Sequence, residues 1–200
     1  MRYLSPALVL IAALMLPSPA AHATPIVFDA TLTGPNESPP QASPGTGFAE
    51  VTLDTMANTL HVVVSFSGLL GTTTASHIHS PTPTPGTGVA GVATVMPAFP
   101  GFPIGVTSGS DDVVLDLLSL ASYNPAFVTA NGGTAASAEA ALAAGMLAGE
   151  SYFNIHSTFA PGGEIRGFLV AVPEPASLVL LGSALLGFGL TRRRKLNTRS

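Results

Sequence analysis

The chain has 200 residues, of which 46% are hydrophobic and 9% are charged, and it contains no cysteine and no tryptophan. This composition excludes a disordered or collagen-like chain, and the absence of cysteine excludes a disulfide framework, a thiol nucleophile and a thiolate metal site. Between residues 3 and 191 one base stands against eleven acids, a net charge of −10, which excludes a nucleic-acid partner.

The first 23 residues predict a secretory signal peptide. Arg2 precedes an apolar run over residues 4–16, and the small-residue triplet 21–23 offers a cleavage site before Thr24. The alternative is a membrane anchor, but an apolar run of about a dozen residues is shorter than the roughly 20 that a spanning helix needs. We therefore expect the protein to be exported.

Residues 24–171 are expected to form one domain of mainly β structure. Alternating apolar and polar residues predict short strands, and Gly- and Pro-rich turns between them favour an antiparallel β-sandwich or barrel. The predicted strands are 26–32, 48–53, 60–66, 73–80, 89–96, 113–117, 151–158 and 164–170.

One short alanine-rich helix is predicted over residues 137–147. Two proline-rich stretches, 34–47 and 80–109, are predicted to be long loops. Loops of this length in a compact domain are often functional, and the alternative is that they are solvated connections.

Three histidines form the clearest candidate site. His77 and His79 are two residues apart on a predicted strand, so both point to one face while Ile78 points to the other. His156 lies on the face of its strand opposite the core. Imidazoles on an outer face beside a long loop are typical of copper or zinc ligands, and the alternative is three exposed or hydrogen-bonded histidines that hold no metal.

Arg166 is the only base between residues 3 and 191, and Glu164 lies two residues before it on the same face. We expect the two to form a structural ion pair, because a guanidinium in an acidic domain finds a carboxylate. The alternative is an anion-guiding role for Arg166 beside a metal. No catalytic motif stands out, so we do not expect an enzyme and assign no catalytic residue.

The C-terminus carries a triplet, an apolar segment and a basic cluster in that order. Pro173, Glu174 and Pro175 precede fifteen residues without charge, 176–190, and the basic residues 192–195 follow. This pattern predicts a short transmembrane helix with the domain outside, and the alternative is a buried core helix.

Residues 172–195 resemble the PEP-CTERM sorting tail of Gram-negative bacteria, and residues 196–200 form a remaining tail. The resemblance implies recognition by an exosortase-type sorting enzyme, an inner-membrane intermediate anchored through residues 176–190, and a final place in the periplasm, at the cell surface or in the extracellular matrix. It further implies that the protein accompanies exopolysaccharide.

A second resemblance covers residues 26–170. Six motifs in order resemble the CHRD domain first described in chordin: Glu37-Ser38-Pro39-Pro40, Gly45-Thr46-Gly47, Phe66-Ser67-Gly68-Leu69, Ala75-Ser76-His77-Ile78-His79, Tyr152-Phe153-Asn154-Ile155-His156-Ser157 and Pro161-Gly162-Gly163-Glu164-Ile165-Arg166-Gly167. The resemblance implies an immunoglobulin-like fold distantly similar to copper, zinc superoxide dismutase.

That distant similarity implies roles for four residues. His77 and His79 resemble the copper pair of the dismutase, His156 its late copper ligand and Arg166 its anion-guiding arginine. The chain departs from the dismutase pattern, since it has no zinc-loop cluster, no disulfide and no counterpart of the bridging histidine. We therefore do not expect a dismutase cycle, while a three-histidine copper site remains open.

The sequence thus supports two hypotheses. The first is an exported, surface-sorted module of the cell envelope or exopolysaccharide matrix that binds polysaccharide or protein, or has a structural role. The second is a copper- or zinc-binding protein with a dismutase-like site at His77, His79 and His156.

Overall fold

The computed structural model describes residues 24–173. The predicted signal peptide, the sorting-motif residues Glu174 and Pro175 and the predicted helix 176–190 lie outside the described residues. Between residues 24 and 173, no helix has both the length and the apolar character needed to cross a membrane. The elements are β1 (Ile26–Thr33), β2 (Thr46–Asp54), β3 (Thr59–Ser67), β4 (Thr73–His79), β5 (Gly109–Asp116), α1 (Pro125–Ala130), α2 (Ala135–Leu147), β6 (Tyr152–Ser157), β7 (Ile165–Phe168) and β8 (Val170–Ala171).

The hairpin of β2 and β3 shows how the alternating pattern becomes structure. Every second side chain from Leu60 to Phe66 is at most 5% exposed, so one face of β3 is buried. At the turn, Asp54 Oδ1 accepts hydrogen bonds from the main-chain N–H groups of Met56 and Ala57, each at 2.9 Å. Asn58 then adopts a φ of 54°, which asparagine tolerates better than most residues.

The eight strands form one antiparallel sheet in the order β4-β6-β7-β1-β2-β3-β5, with β8 paired to β1. The sheet curls into a half-barrel, and its inner face packs with α1 and α2 around one hydrophobic core. The mainly β, antiparallel fold that the sequence predicts is therefore confirmed.

Two local predictions differ from the structure. The predicted helix is α2, but the short helix α1 precedes it, and its start is marked by Asn124, whose side chain accepts a hydrogen bond from Ala126 N at 3.0 Å. The strand predicted at 89–96 is wrong, because this segment makes only isolated bridges to His79 and Tyr123. Its backbone bonds alternate between two different neighbours, so no continuous ladder forms.

The segment 80–108 instead lies along β4 and covers its outer face. Pro97 O accepts a hydrogen bond from Ser76 N, and Gly91 O accepts one from Ser80 N. Because β4 is an edge strand of the sheet, this loop occupies the edge that would otherwise face solvent. It also encloses the side chains that β4 directs away from the core.

Candidate metal centre

The three predicted histidines lie together on the outer face of two adjacent strands. His77 and His79 flank Ile78, which is fully buried in the core. In the pairing of β4 with β6, Ala75 lies opposite His156 and His77 lies opposite Asn154. The alternation of the strands therefore directs all three imidazoles to the side of the sheet away from the core.

The rings are close enough to form one cluster. Ring centroids are 4.7 Å apart for His77 and His79, 4.6 Å for His77 and His156, and 5.9 Å for His79 and His156. One nitrogen from each ring lies within 4.8 Å of the others. Two nitrogens bound to one ion at about 2.0–2.1 Å are themselves about 3.3–3.6 Å apart, so small side-chain rotations would bring these atoms to bonding distance.

Each ring is oriented by a main-chain carbonyl. His77 Nδ1 lies 3.2 Å from Pro97 O, His79 Nδ1 lies 2.8 Å from Ala90 O, and His156 Nδ1 lies 2.9 Å from Pro161 O. Because a carbonyl oxygen only accepts, Nδ1 carries the hydrogen in each case and Nε2 is left with a free lone pair. All three Nε2 atoms are buried and have no hydrogen-bond partner among the described residues.

The protonation state of the cluster suits metal binding. Burial, together with the neighbouring His156 and His79, lowers the pKa of His77 to about 3. Burial also lowers the pKa of His79 to about 4 and lowers the pKa of His156. The imidazoles are consequently neutral at neutral pH, which is the form that binds a metal. Three buried lone pairs without partners are compatible with a bound metal ion.

The alternative of exposed histidines does not hold, since His77 is 3% exposed and His79 and His156 are each 8% exposed. The rings are hydrogen-bonded, but only through Nδ1. Within the part of the chain that the structure describes, this is the one group of three or more histidine, aspartate or glutamate side chains close enough to share an ion.

Tyr152 is a site residue that the sequence did not reveal. Tyr152 lies on β6, between β4 and β7, and its ring stacks on that of His79 with 4.6 Å between centroids and 6° between planes. The guanidinium carbon of Arg166, which lies on β7, is 4.7 Å from the centroid of the Tyr152 ring. A signal existed, since Tyr152 and His156 share one face of a predicted strand, but nothing in the sequence paired Tyr152 with His79.

The predicted pair of Glu164 and Arg166 is wrong. Arg166 instead has Glu37 as its carboxylate partner, with Nε 3.8 Å from Oε2, and it donates hydrogen bonds to Asn36 O at 2.6 Å and Gly88 O at 3.0 Å. Arg166 thus connects two loops that are far apart in sequence. Burial raises the pKa of Glu37 to about 7, although the charge of Arg166 opposes this.

Glu164 belongs to a separate hydrogen-bond network. Its Oε1 accepts from Ser43 Oγ and from Leu70 N, each at 2.6 Å, while Oε2 accepts from Ser157 Oγ and from Gly71 N. Burial alone would raise the pKa of Glu164, but these hydrogen bonds outweigh it and leave the pKa lowered. This side chain is fully buried and holds three segments of the chain together.

Comparisons with known proteins agree with both resemblances. A family model described as the CHRD domain matches residues 28–169, and a model of the PEP-CTERM protein-sorting motif matches residues 171–195. No curated protein and no solved structure matches the chain.

Proposed function

Since the chain belongs to the CHRD-domain family and carries a sorting motif that marks it as an exported, sorted protein, we propose that its β domain binds one copper or zinc ion. The ligands are Nε2 of His77, His79 and His156. A copper ion bound there would supply one-electron redox chemistry, and a zinc ion would supply only Lewis acidity.

One observation carries this proposal: the three clustered rings each have a buried Nε2 without a hydrogen-bond partner, while each Nδ1 is fixed by a carbonyl. Leaving three buried polar atoms unpaired costs free energy that a bound ion would recover. Hydrogen bonds from the second ring nitrogen to a carbonyl are also the usual outer contacts of metal-binding histidines.

The proposal makes the protein a metal-binding module of the cell envelope. Processing by an exosortase-type enzyme would follow an inner-membrane intermediate and would leave the domain in the periplasm, at the cell surface or in the extracellular matrix. The sorting motif supports this route.

Titration of the full-length protein tests the proposal. The chain is expressed with export in a Gram-negative host, purified in mild detergent, stripped of metal and titrated with Cu(II), Zn(II) and, under reducing conditions, Cu(I). One equivalent of at least one ion is expected to bind, and His79→Ala is expected to weaken binding more than about tenfold, because loss of even an outer contact costs about 10–100-fold.

His61→Ala is the matched control, since His61 is a partly exposed histidine outside the cluster that pairs with Asp112 at 2.7 Å. The His61→Ala variant is expected to bind the metal ion with the same affinity as the unsubstituted protein. His77→Gln, which keeps a polar side chain of similar reach, serves if the alanine variant does not fold. Absence of stoichiometric binding, or equal losses in His61→Ala and His79→Ala, would overturn the proposal.

A further inference from the structure

The ligand set of the proposed site carries no negative charge. The cluster consists of three neutral imidazoles, and neither nearby buried carboxylate is available to it. Glu37 lies with Arg166, and Glu164 is occupied by hydrogen bonds from two serines and two main-chain N–H groups. A divalent ion would therefore keep a charge of about +2 in the complex, and Cu(I) would keep about +1.

Burial penalises the higher of these two charges. The three rings are at most 8% exposed, and their Nε2 atoms are inaccessible to solvent. The ideal cost of transferring an ion from water to a medium of low dielectric constant rises with the square of its charge, so it is about four times larger for the divalent complex. The desolvation term thus favours the monovalent ion.

The one fixed cation of the described domain lies beside the cluster. Arg166 is the only lysine or arginine between residues 24 and 173, and its guanidinium and the ring of His79 both contact the ring of Tyr152. Its carboxylate partner Glu37 is 3.8 Å away and has a raised pKa, so the positive charge is incompletely compensated. The field of Arg166 repels a divalent ion about twice as strongly as a monovalent ion.

Coordination number acts in the same direction. Structural zinc is almost always four-coordinate, whereas the cluster offers three nitrogens and its Nε2 atoms are inaccessible to solvent. Copper(I) has a filled d shell and accepts three ligands. Imidazole binds both metals, so donor softness does not decide between them.

Resting on the proposed function, we infer that the site selects Cu(I) over Cu(II) and Zn(II), and that Arg166, acting through Tyr152, is a positioning residue that sets this preference. Arg166 contacts no metal-binding nitrogen. Its contribution is the charge that it holds beside His79, while Glu37 partly cancels that charge.

Competition against chromophoric chelators under anaerobic, reducing conditions measures Cu(I) affinity of the full-length protein, and parallel titrations measure Zn(II) and Cu(II). Cu(I) is expected to bind at least about tenfold more tightly than either divalent ion. Arg166→Gln is expected to reduce the preference for Cu(I) over Cu(II) about tenfold. This corresponds to a fall of about 59 mV in the reduction potential of the bound copper.

Glu37→Gln is expected to move the preference in the opposite direction, since it removes the charge that compensates Arg166. Loss of a purely structural contact would move both variants in the same direction. Met56→Glu, at a turn residue that is 62% exposed, changes the net charge as Arg166→Gln does and is expected to leave the preference unchanged.

Equal or tighter binding of Zn(II) or Cu(II), or shifts of the same sign in Arg166→Gln and Glu37→Gln, would overturn the inference while leaving the proposed metal site intact. Failure of every ion to bind would overturn the proposed function and the inference with it. If Arg166→Gln does not fold, the inference is tested by the order of the affinities for Cu(I), Cu(II) and Zn(II) and by the change in Cu(I) preference in Glu37→Gln.

Discussion

At the scale of single residues, the candidate site depends on which ring nitrogen carries the hydrogen. Pro97, Ala90 and Pro161 each present a carbonyl to one Nδ1, so the tautomers are fixed by the backbone of two loops rather than by other side chains. The His-x-His spacing allowed His77 and His79 to be placed on one face from the sequence alone. The carbonyls could not be predicted, because they belong to irregular loops without a periodic signal.

Arg166 shows where residue-scale prediction from sequence fails. Glu164, two residues away, is the obvious carboxylate, yet Glu37 lies beside the guanidinium and is 129 positions earlier in the chain. Local spacing predicts pairs along a strand but carries no information about a loop that returns from elsewhere in the fold. The buried network of Glu164 was hidden for the same reason.

The Glu164→Gln variant is expected to destabilise the protein by about 2–3 kcal/mol. Main-chain N–H groups face both carboxylate oxygens, from Leu70 on one side and Gly71 on the other. An amide nitrogen at either position would therefore leave one buried donor without an acceptor. Urea unfolding at neutral pH measures the loss, with Glu50→Gln at an exposed strand position as a near-neutral control.

The pH dependence of the free energy of unfolding provides a second test of the role of Glu164. The pKa of Glu164 is lower in the folded protein than its ordinary value of 4.5. Its stabilising contribution is thus fully present above about pH 4.5 and is lost as the pH falls through the folded pKa, because the unfolded chain binds the proton first. Glu164→Gln is expected to lack this part of the acid sensitivity, and an unchanged acid profile would contradict the assignment.

At the scale of elements, the β2–β3 hairpin was predictable because its alternating pattern and turn residues agree with the tertiary structure. The helix α2 was predictable because its alanine-rich composition favours a helix. The segment 89–96 has strand-like composition, but its hydrogen bonds go alternately to Ile78 in β4 and to the segment 122–124, so it lies over the sheet edge as a loop. Composition does not distinguish a strand from an apolar loop that packs on one.

Gly167→Ala tests how β7 joins β1. A Cβ at Gly167 would meet the main-chain oxygen of Thr31 well inside van der Waals contact, and Thr31 belongs to β1. The strands must move apart, so a loss of about 1–3 kcal/mol or more is expected in the free energy of unfolding. Because Arg166 lies next to Gly167 in β7, the preference of the site for Cu(I) over Cu(II) is expected to fall as well.

Gly162→Ala is the matched control for this variant. Nothing lies within 4 Å of a Cβ built at Gly162, and its backbone does not adopt positive φ. Urea denaturation of both variants provides the comparison. Equal stabilities of Gly167→Ala and Gly162→Ala would mean that β7 and β1 are not packed as closely as described.

At the scale of the whole molecule, the chain consists of one CHRD domain and one sorting motif. Residues 28–169 match the domain, and residues 171–195 match the motif that directs sorting. The domain has ten acids and one arginine between residues 24 and 173, and the structure places that arginine beside the imidazole cluster. The excess of acidic over basic residues is evident from the sequence, but only the fold shows where the single arginine lies.

The central claim is that three imidazoles of the exported protein hold one metal ion. Metal analysis combined with X-ray absorption spectroscopy, on full-length protein recovered from the envelope of a Gram-negative host, tests it most directly. We predict one equivalent of metal per chain and a first shell of three imidazole nitrogens at about 2.0–2.1 Å. Metal-free protein that stays metal-free after incubation with copper and zinc, or a first shell of oxygen atoms without imidazole scattering, would contradict the account.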